Sequence, residues 1–246
     1  MTYEYDRPVD YSMPRQCGLY PPPPYKYPHM RAIISMFQCP AELKKKYLPE
    51  DFEPMDLFDV AFITEYPDST IGPYYENLIL LYCSYKGDPG AYVFNIYVDS
   101  DIALAAGREI WGYPKKFCDM KLSELKDNKI QGSLTRMGIT FLEIEAELGD
   151  RPPGIDIQRL IEILPIYNVK IIPDVADPTK PALRQVTKTI LGIDAVHKQL
   201  GGTTTKFETK YSRFDICDEF IKESKKDLGS IYVEADMVLP PGIVLD

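Results

Sequence analysis

The residues of this chain best suited to chemistry lie in one short stretch, positions 107–117, Gly-Arg-Glu-Ile-Trp-Gly-Tyr-Pro-Lys-Lys-Phe. Gly112 can end the preceding helix in a left-handed cap, and Pro114 forbids that helix from continuing. Tyr113, standing before proline, is pushed into an extended conformation. The chain therefore turns hard and delivers Lys115 and Lys116 to the mouth of the next strand, beside the only tryptophan, Trp111, and beside Tyr113 and Phe117. Taken alone, adjacent lysines flanking a strand are a solvated surface pair, because lysines are overwhelmingly exposed. Set in this turn, they become candidates for amine chemistry, which requires a lysine that has lost its proton.

The remaining composition removes most alternatives. His29 and His197 are the only imidazoles, so a histidine-based metal centre would have to use both, and a Ser-His-Asp triad one of them. Cys17, Cys39, Cys83, Cys118 and Cys217 are scattered, odd in number and form no CxxC pair, which suggests neither a disulfide framework nor a zinc site. No GxSxG elbow, P-loop or GxGxxG motif is present. An enzyme made from this chain would rely on carboxylates, lysines and arginines, with no metal or cofactor implied. A net charge of −9 over 246 residues argues against nucleic-acid or anionic-membrane partners. No apolar run approaches the roughly 18–20 residues of a spanning helix. The N-terminus, MTYEYDRPVDY, lacks a signal-peptide layout, so a cytoplasmic address is the expectation.

The elements that must position the lysines read as strands with few helices. Residues 1–30 form a Pro/Tyr-rich arm, in which Pro21–Pro24 favours a polyproline II conformation. Pro22-Pro23-Pro24-Tyr25 also matches a PPxY ligand of a WW-type groove, against the plainer reading of an arm packed on the body or on a neighbouring subunit. The domain proper is expected over 31–246. It begins with the apolar run Arg31–Phe37 and a short helix at 40–47, with Pro49 beyond its end. Strands are expected near 57–66, 76–86 and 90–98, the last two parted by a turn at Gly87-Asp88-Pro89-Gly90. Ile102, Ala106 and Ile110 mark a helix over 102–110. Further strands are expected at 115–122, 129–136, 139–148, 166–173, 182–191, 203–211 and 229–239, with a second helix at 155–164. The resulting fold class is α+β: a β-rich single domain whose mainly antiparallel strands make a closed or nearly closed barrel or cone, with a few short helices.

Gly107–Phe117 closely resembles the active-site segment of the acetoacetate decarboxylase family. Tyr25-Lys26-Tyr27 followed by Arg31, then Gly72-Pro73-Tyr74-Tyr75-Glu76 and Tyr167-Asn168-Val169-Lys170-Ile171-Ile172-Pro173, resemble further family markers in the expected order. The resemblance implies that Lys115 forms a Schiff base with a small keto acid, that Arg31 receives the substrate carboxylate, and that Glu76 orients substrate or moves protons. It also implies a homo-oligomer, for which the arm is a natural device. There are departures from the pattern. Ala61 stands where a pocket glutamate is common, with Glu65 four residues on, and Asn77-Leu78 replaces a common Ser-Gly pair. Arg108 and Glu109 fit either catalytic or structural roles.

The chemistry that this implies is decarboxylation of a β-keto acid through an iminium, which accepts the electrons left by CO₂. An ordinary lysine has a pKa of about 10.4, so fewer than about one in a thousand is neutral near pH 7. Lowering it by about four units would recover roughly 5–6 kcal/mol. The family is a known example of a lysine activated beside a second cation. Here, however, adjacent strand residues point to opposite faces, which carries Lys116 away and makes desolvation the expected main cause, with Lys116 a secondary contributor. One tension remains, because alternation places Lys116 with the apolar Cys118, Met120 and Leu122, and Lys115 with Phe117, Asp119 and Lys121. The resemblance selects Lys115. Alternatives are a Schiff-base aldolase, dehydratase or hydratase acting on another keto acid, and a non-catalytic binding protein on the same scaffold.

Overall fold

The apolar run at Arg31–Phe37 is the second half of a longer strand, β1, Tyr25–Phe37. The structure, a computed structural model, describes residues 9–149, 154–226 and 228–245; the first eight residues of the expected arm lie outside them. After β1 come α1 (Ala41–Tyr47), β2 (Phe52–Pro54), β3 (Asp59–Tyr66), β4 (Tyr74–Tyr85) and β5 (Asp88–Val98). Helix α2 (Asp101–Ala106) runs into a π-helical turn, Gly107–Trp111, followed by β6 (Lys115–Phe117), β7 (Asp119–Leu122), β8 (Lys129–Arg136) and β9 (Ile139–Gly149). The chain continues through α3 (Ile157–Ile163), β10 (Ile166–Pro173), β11 (Pro181–Thr189), β12 (Gly192–Thr209), α4 (Cys217–Lys222), β13 (Ser230–Leu239) and β14 (Ile243–Val244). No helix among the described residues is long and apolar enough to cross a membrane.

Short-range chemistry sets the hairpins. Lys86 and Gly87 both take positive φ (50° and 85°), as do Met137 and Gly138 (52° and 76°) and Asp127 and Asn128 (50° and 61°). Two left-handed residues give the turn twist that matches a right-twisted ladder. The first turn therefore lies one residue earlier than expected, and Asp88, Pro89 and Gly90 join β5.

The strands do not close into a barrel, which corrects the closed-sheet expectation. The hydrogen-bonded order runs β14-β11-β10-β5-β4-β3-β1-β13-β12-β9-β8-β7 and ends in two open edges. The reason lies at Cys118. A single strand over 115–122 would pair with β5 on one side and β8 on the other, completing a ring. Instead β6 runs parallel to β5, with Lys115 opposite Ile96, while β7 pairs antiparallel with β8. Cys118 separates the two, its N–H donating to the Val98 carbonyl at 2.9 Å.

Both faces of the curved sheet are covered. Ala32, Ile34 and Met36 of β1 enter one core, while Ile33 and Phe37 enter another. Leu78 and Leu80 of β4 likewise oppose Ile79 and Leu81. Strands buried on both sides read as continuous apolar runs, so composition alone hides which residue faces which core. Under the second core Lys44 and Asp59 form an ion pair at 2.9 Å with both side chains fully buried. The Lys44 ammonium also donates to the Met55 carbonyl at 2.9 Å.

The arm is part of the body from Tyr25 onward, so the boundary expected at residue 30 falls inside a strand. Tyr20 is buried and its hydroxyl donates to Glu109. Tyr25 is 1% exposed, donates to the Pro21 carbonyl at 2.7 Å and meets Trp111 edge-on. A buried tyrosine cannot serve a WW-type groove, which removes the PPxY reading.

Candidate active site

The turn that presents Lys115 is fixed at every step. Ser100 caps α2, its hydroxyl accepting from the Ala103 N–H at 3.3 Å. The π-helical turn ends at Gly112, which adopts φ +80° as the sequence requires, and a Cβ there would overlap Lys170 of β10. Trp111 is buried; its indole N–H donates to the Pro240 carbonyl at 2.9 Å and its own carbonyl accepts from Thr187 at 2.7 Å. Arg108 donates to the Lys115 carbonyl at 3.2 Å, giving that arginine a structural part.

Lys115 emerges 5% exposed, with its stem against Gly107. Its Nζ donates to Glu76 Oε2 at 2.7 Å and lies 5.7 Å and 5.8 Å from the Tyr74 and Tyr113 ring centres. Tyr66 donates to the other oxygen, Glu76 Oε1, at 3.3 Å, and Tyr74 to the Tyr27 hydroxyl at 3.3 Å. Burial first, and the Glu76 charge second, hold the phenols of Tyr27, Tyr66 and Tyr74 well above their usual range. They are neutral hydrogen-bond donors clustered around one carboxylate and one amine.

This group forms the polar end of a narrow cavity of about 70 Å³. From Glu76 and Thr64 the strands carry the cavity wall through the paired Phe62 and Leu78 to Leu80. At a strand rise of about 3.4 Å, the four steps from Glu76 to Leu80 span roughly 14 Å. Ile157, Leu160 and Ile161 of α3 and Leu164 just beyond its end cover this lane, and Met30 and Met237 line its flank. Among the described lining residues, Glu76 is the only carboxylate and Lys115 the only cation.

A family model described as acetoacetate decarboxylase (ADC) matches residues 8–210. The chain belongs to that family. Acetoacetate decarboxylase 1 of Bradyrhizobium diazoefficiens is 31% identical over 179 residues, covering 71% of this chain and 70% of the relative. Further curated relatives are matched over about half of their own length. The crystal structure of acetoacetate decarboxylase from Legionella pneumophila superposes with a TM-score of 0.85 at 27% identity, covering 96% of this chain and 93% of that one. The enduracididine biosynthesis enzyme MppR, at 17% identity and a TM-score of 0.76, covers 96% of this chain and 94% of its own and shares the fold. The family is one of enzymes, carboxy-lyases at the coarsest level.

Within this acetoacetate decarboxylase scaffold the expected site residues divide. Glu76 and Lys115 come together. Lys116 does not join them: its ammonium lies 3.3 Å from Asp215 Oδ1 and 5.6 Å from the Tyr97 ring centre, on the second-core face. Asp215, fully buried, also accepts from the Tyr97 hydroxyl at 2.9 Å and faces Arg136 at 3.5 Å. The tension in the lysine pair is thereby resolved. Cys118, Met120 and Leu122 do share the apolar face of Lys116, but that face belongs to the other core.

Arg31, expected to receive the substrate carboxylate, does not line this pocket. Its neighbours Met30 and Ala32 line the cavity, so strand alternation sends Arg31 to the opposite side. There it pairs with Glu65 and donates to Glu124 and to the Ser123 carbonyl, each at 3.0 Å. Glu65 is occupied by Arg31 and by the Tyr75 hydroxyl at 2.8 Å, so it does not replace the carboxylate missing at Ala61, which is buried in the second core. Glu109 accepts from Tyr20 and anchors the arm.

Sequence reasoning missed Tyr66, Met30, the α3 cover and Asp215. The alternation of Phe62, Thr64 and Tyr66 was the available sign for the first. Asp215 lies in a loop ninety-nine residues from Lys116 and leaves no local signal.

Proposed function

We propose that this chain decarboxylates a β-keto acid through a Schiff base on Lys115, and that the acid carries an apolar acyl chain longer than the methyl of acetoacetate. The observation that carries the reading is the buried Lys115 amine on Glu76 at one end of an apolar lane. Glu76 takes a proton from the ammonium, and the neutral amine adds to the ketone carbon. The carbinolamine loses its hydroxyl as water, with protons supplied by Glu76 and the surrounding phenols, leaving a cationic iminium. The bond to the carboxylate then breaks. Its electron pair neutralises the iminium as an enamine, and CO₂ departs. Protonation of the enamine carbon and addition of water release the ketone and restore the amine.

The apolar surroundings favour decarboxylation over aldol chemistry. A carboxylate buried without a partner is costly, and departure as CO₂ removes that charge, whereas aldol condensation keeps it. The iminium is the only cation the pocket offers to it among the described lining residues. The lane supplies affinity for an alkyl chain at about 0.8 kcal/mol per buried methylene. A homologue of acetoacetate about four methylenes longer gains about 3 kcal/mol, roughly 200-fold in kcat/KM.

The test is incubation with acetoacetate and with that longer homologue, borohydride reduction, peptide mapping and CO₂ measurement. The expected outcome is an adduct on Lys115 with CO₂ release, faster for the longer acid. An adduct without CO₂ would move the reading to aldol or dehydration chemistry. No adduct with any keto acid would leave a binding protein.

A further inference from the structure

The two histidines, the only ones in the chain, stand 168 positions apart and have no part in the amine chemistry. The fold nevertheless brings them together. His29 lies in β1 and His197 in β12, the strands that flank β13 on either side. Asp236 of β13 lies between them. Each histidine sits at a bulge: the β1 register shifts between Tyr27 and Met30, and the β12 register between Val196 and Lys198. Bulges re-aim side chains, and here both aim imidazoles at one carboxylate. His29 also adopts φ +53°, a left-handed conformation uncommon for a residue with a side chain.

The donor geometry is that of a cation site. His197 Nε2 lies 2.9 Å from Asp236 Oδ1, and His29 Nδ1 lies 3.9 Å from the same oxygen. The two rings lie with centres 4.9 Å apart, and one ligand atom from each of the three residues falls within 4.8 Å of the others. An ion held at about 2.1 Å from each donor allows ligand atoms up to about 4.2 Å apart. The cluster needs only a small inward swing of His29, whose side chain is 75% exposed and free to make it. The His29 N–H donates to Asp236 Oδ1 at 2.7 Å, which fixes the carboxylate between the rings. Two imidazoles and one carboxylate suit a borderline divalent cation better than calcium or magnesium, which favour all-oxygen shells. Three protein donors at the surface leave the remaining positions to water.

We propose that His29, His197 and Asp236 bind one divalent transition-metal ion of the zinc class, clamping β1, β13 and β12 together. The clamp sits directly behind the pocket wall, because Met30 and Met237, next in sequence to His29 and Asp236, line the cavity. It is separate from the Lys115–Glu76 pair, and its test does not depend on activity.

The measurement is isothermal titration of the full chain with Zn²⁺, accompanied by thermal melting and by electron paramagnetic resonance of the Cu²⁺-loaded protein. One ion should bind per chain, raise the melting temperature and, as Cu²⁺, show coupling to imidazole nitrogen. His29→Ala, His197→Ala and Asp236→Asn should each weaken Zn²⁺ by more than about 10-fold, the lower end of what second-shell changes alone cost. Cys17→Ser should leave binding intact. The imidazoles are exposed, so His197→Ala should keep the parent's metal-free melting temperature; His29→Ala and Asp236→Asn, which alter a left-handed residue and the acceptor of its N–H, are each compared with their own metal-free melting temperature. Zn²⁺ affinity unchanged in His29→Ala and His197→Ala, or lost in Cys17→Ser, would overturn the proposal, as would the absence of nitrogen coupling.

Discussion

Gly107→Ala separates the packing of the reactive lysine from the stability of its scaffold. The backbone at Gly107 is ordinary right-handed helix, φ −61° and ψ −42°, so glycine is not there for conformational freedom. On propensity alone alanine would stabilise the turn by about 0.5–1 kcal/mol. What opposes it is the Lys115 stem: a Cβ on residue 107 would lie 2.5 Å from Lys115 Cε and 2.6 Å from Cδ. Carbon atoms prefer about 3.5–4.0 Å, so the stem must retreat by roughly 1 Å. Its amine is held at 2.7 Å by Glu76 and cannot follow without losing that contact. Overpacking of this kind costs about 1–3 kcal/mol, and a reacting atom misplaced by about 1 Å loses on the order of 100-fold in rate. The assay has two arms. Turnover and the rate of borohydride-trapped adduct should fall about 100-fold in Gly107→Ala. Melting should show destabilisation by Gly107→Ala in the parent but stabilisation in a Lys115→Ala background, where the stem is gone. Parent-like turnover, or the same stability change in both backgrounds, would refute the packing argument.

Arg31→Ala should change kcat/KM by less than about 3-fold, because the guanidinium lies outside the pocket lining and pairs with Glu65; truncating a buried partner charge would instead cost about 2–5 kcal/mol. Lys116→Met should leave the pH profile of kcat/KM in place, since Asp215, not Lys115, faces that ammonium; a displacement of the profile would restore the neighbouring cation as the activator. Lys44→Met should destabilise by about 3–5 kcal/mol in chemical denaturation by leaving Asp59 buried and unpaired, and adding Asp59→Asn should recover much of the loss. Burial already pushes the Asp59 carboxyl up, so the lone carboxyl of Lys44→Met has no solvent to relieve it.

Much of the site was legible because it is local. Gly112, Pro114 and the paired lysines specify the turn within a few residues, and the positive-φ pairs at Met137-Gly138 and Asp127-Asn128 specify hairpins in the same way. Strands β8 and β9 lie within a residue of their expected bounds for that reason. What failed is what depends on two faces at once. Ile33 and Ile34 are equally apolar, so nothing in β1 says which enters the pocket, and nothing there says that Arg31 faces away from it. Lys44 illustrates the opposite failure: lysines are so commonly exposed that a fully buried one is invisible until Asp59 is seen beside it. The first half of β12, with Lys198 and the Gly201-Gly202 pair, carries too little apolar alternation to read as strand. Strands β2 and β14 and helix α4 are too short for periodicity to register.

The double-sided sheet also explains how one stretch of chain can keep its chemistry while changing what it accepts. Side chains alternate with a period of two, so each step along a strand moves a residue from one core to the other. At three places in this molecule a polar residue lining the pocket is followed by a polar residue held away from it, Thr64 and Glu65, Glu76 and Asn77, and Lys115 and Lys116, and at a fourth the apolar Met30 is followed by Arg31. The far-side members find partners away from the pocket. Arg31 pairs with Glu65, Lys116 with Asp215, and Asn77 donates to the Phe62 carbonyl at 2.5 Å. The near-side members are left with only Lys115 and Glu76 as opposite charges, which is the minimum that iminium chemistry requires. Affinity must then come from the methionine, leucine and isoleucine side chains along the lane. On the proposed reading, selectivity follows from which member of each neighbouring pair faces inward, while the lysine turn is fixed separately by Gly107, Gly112 and Trp111.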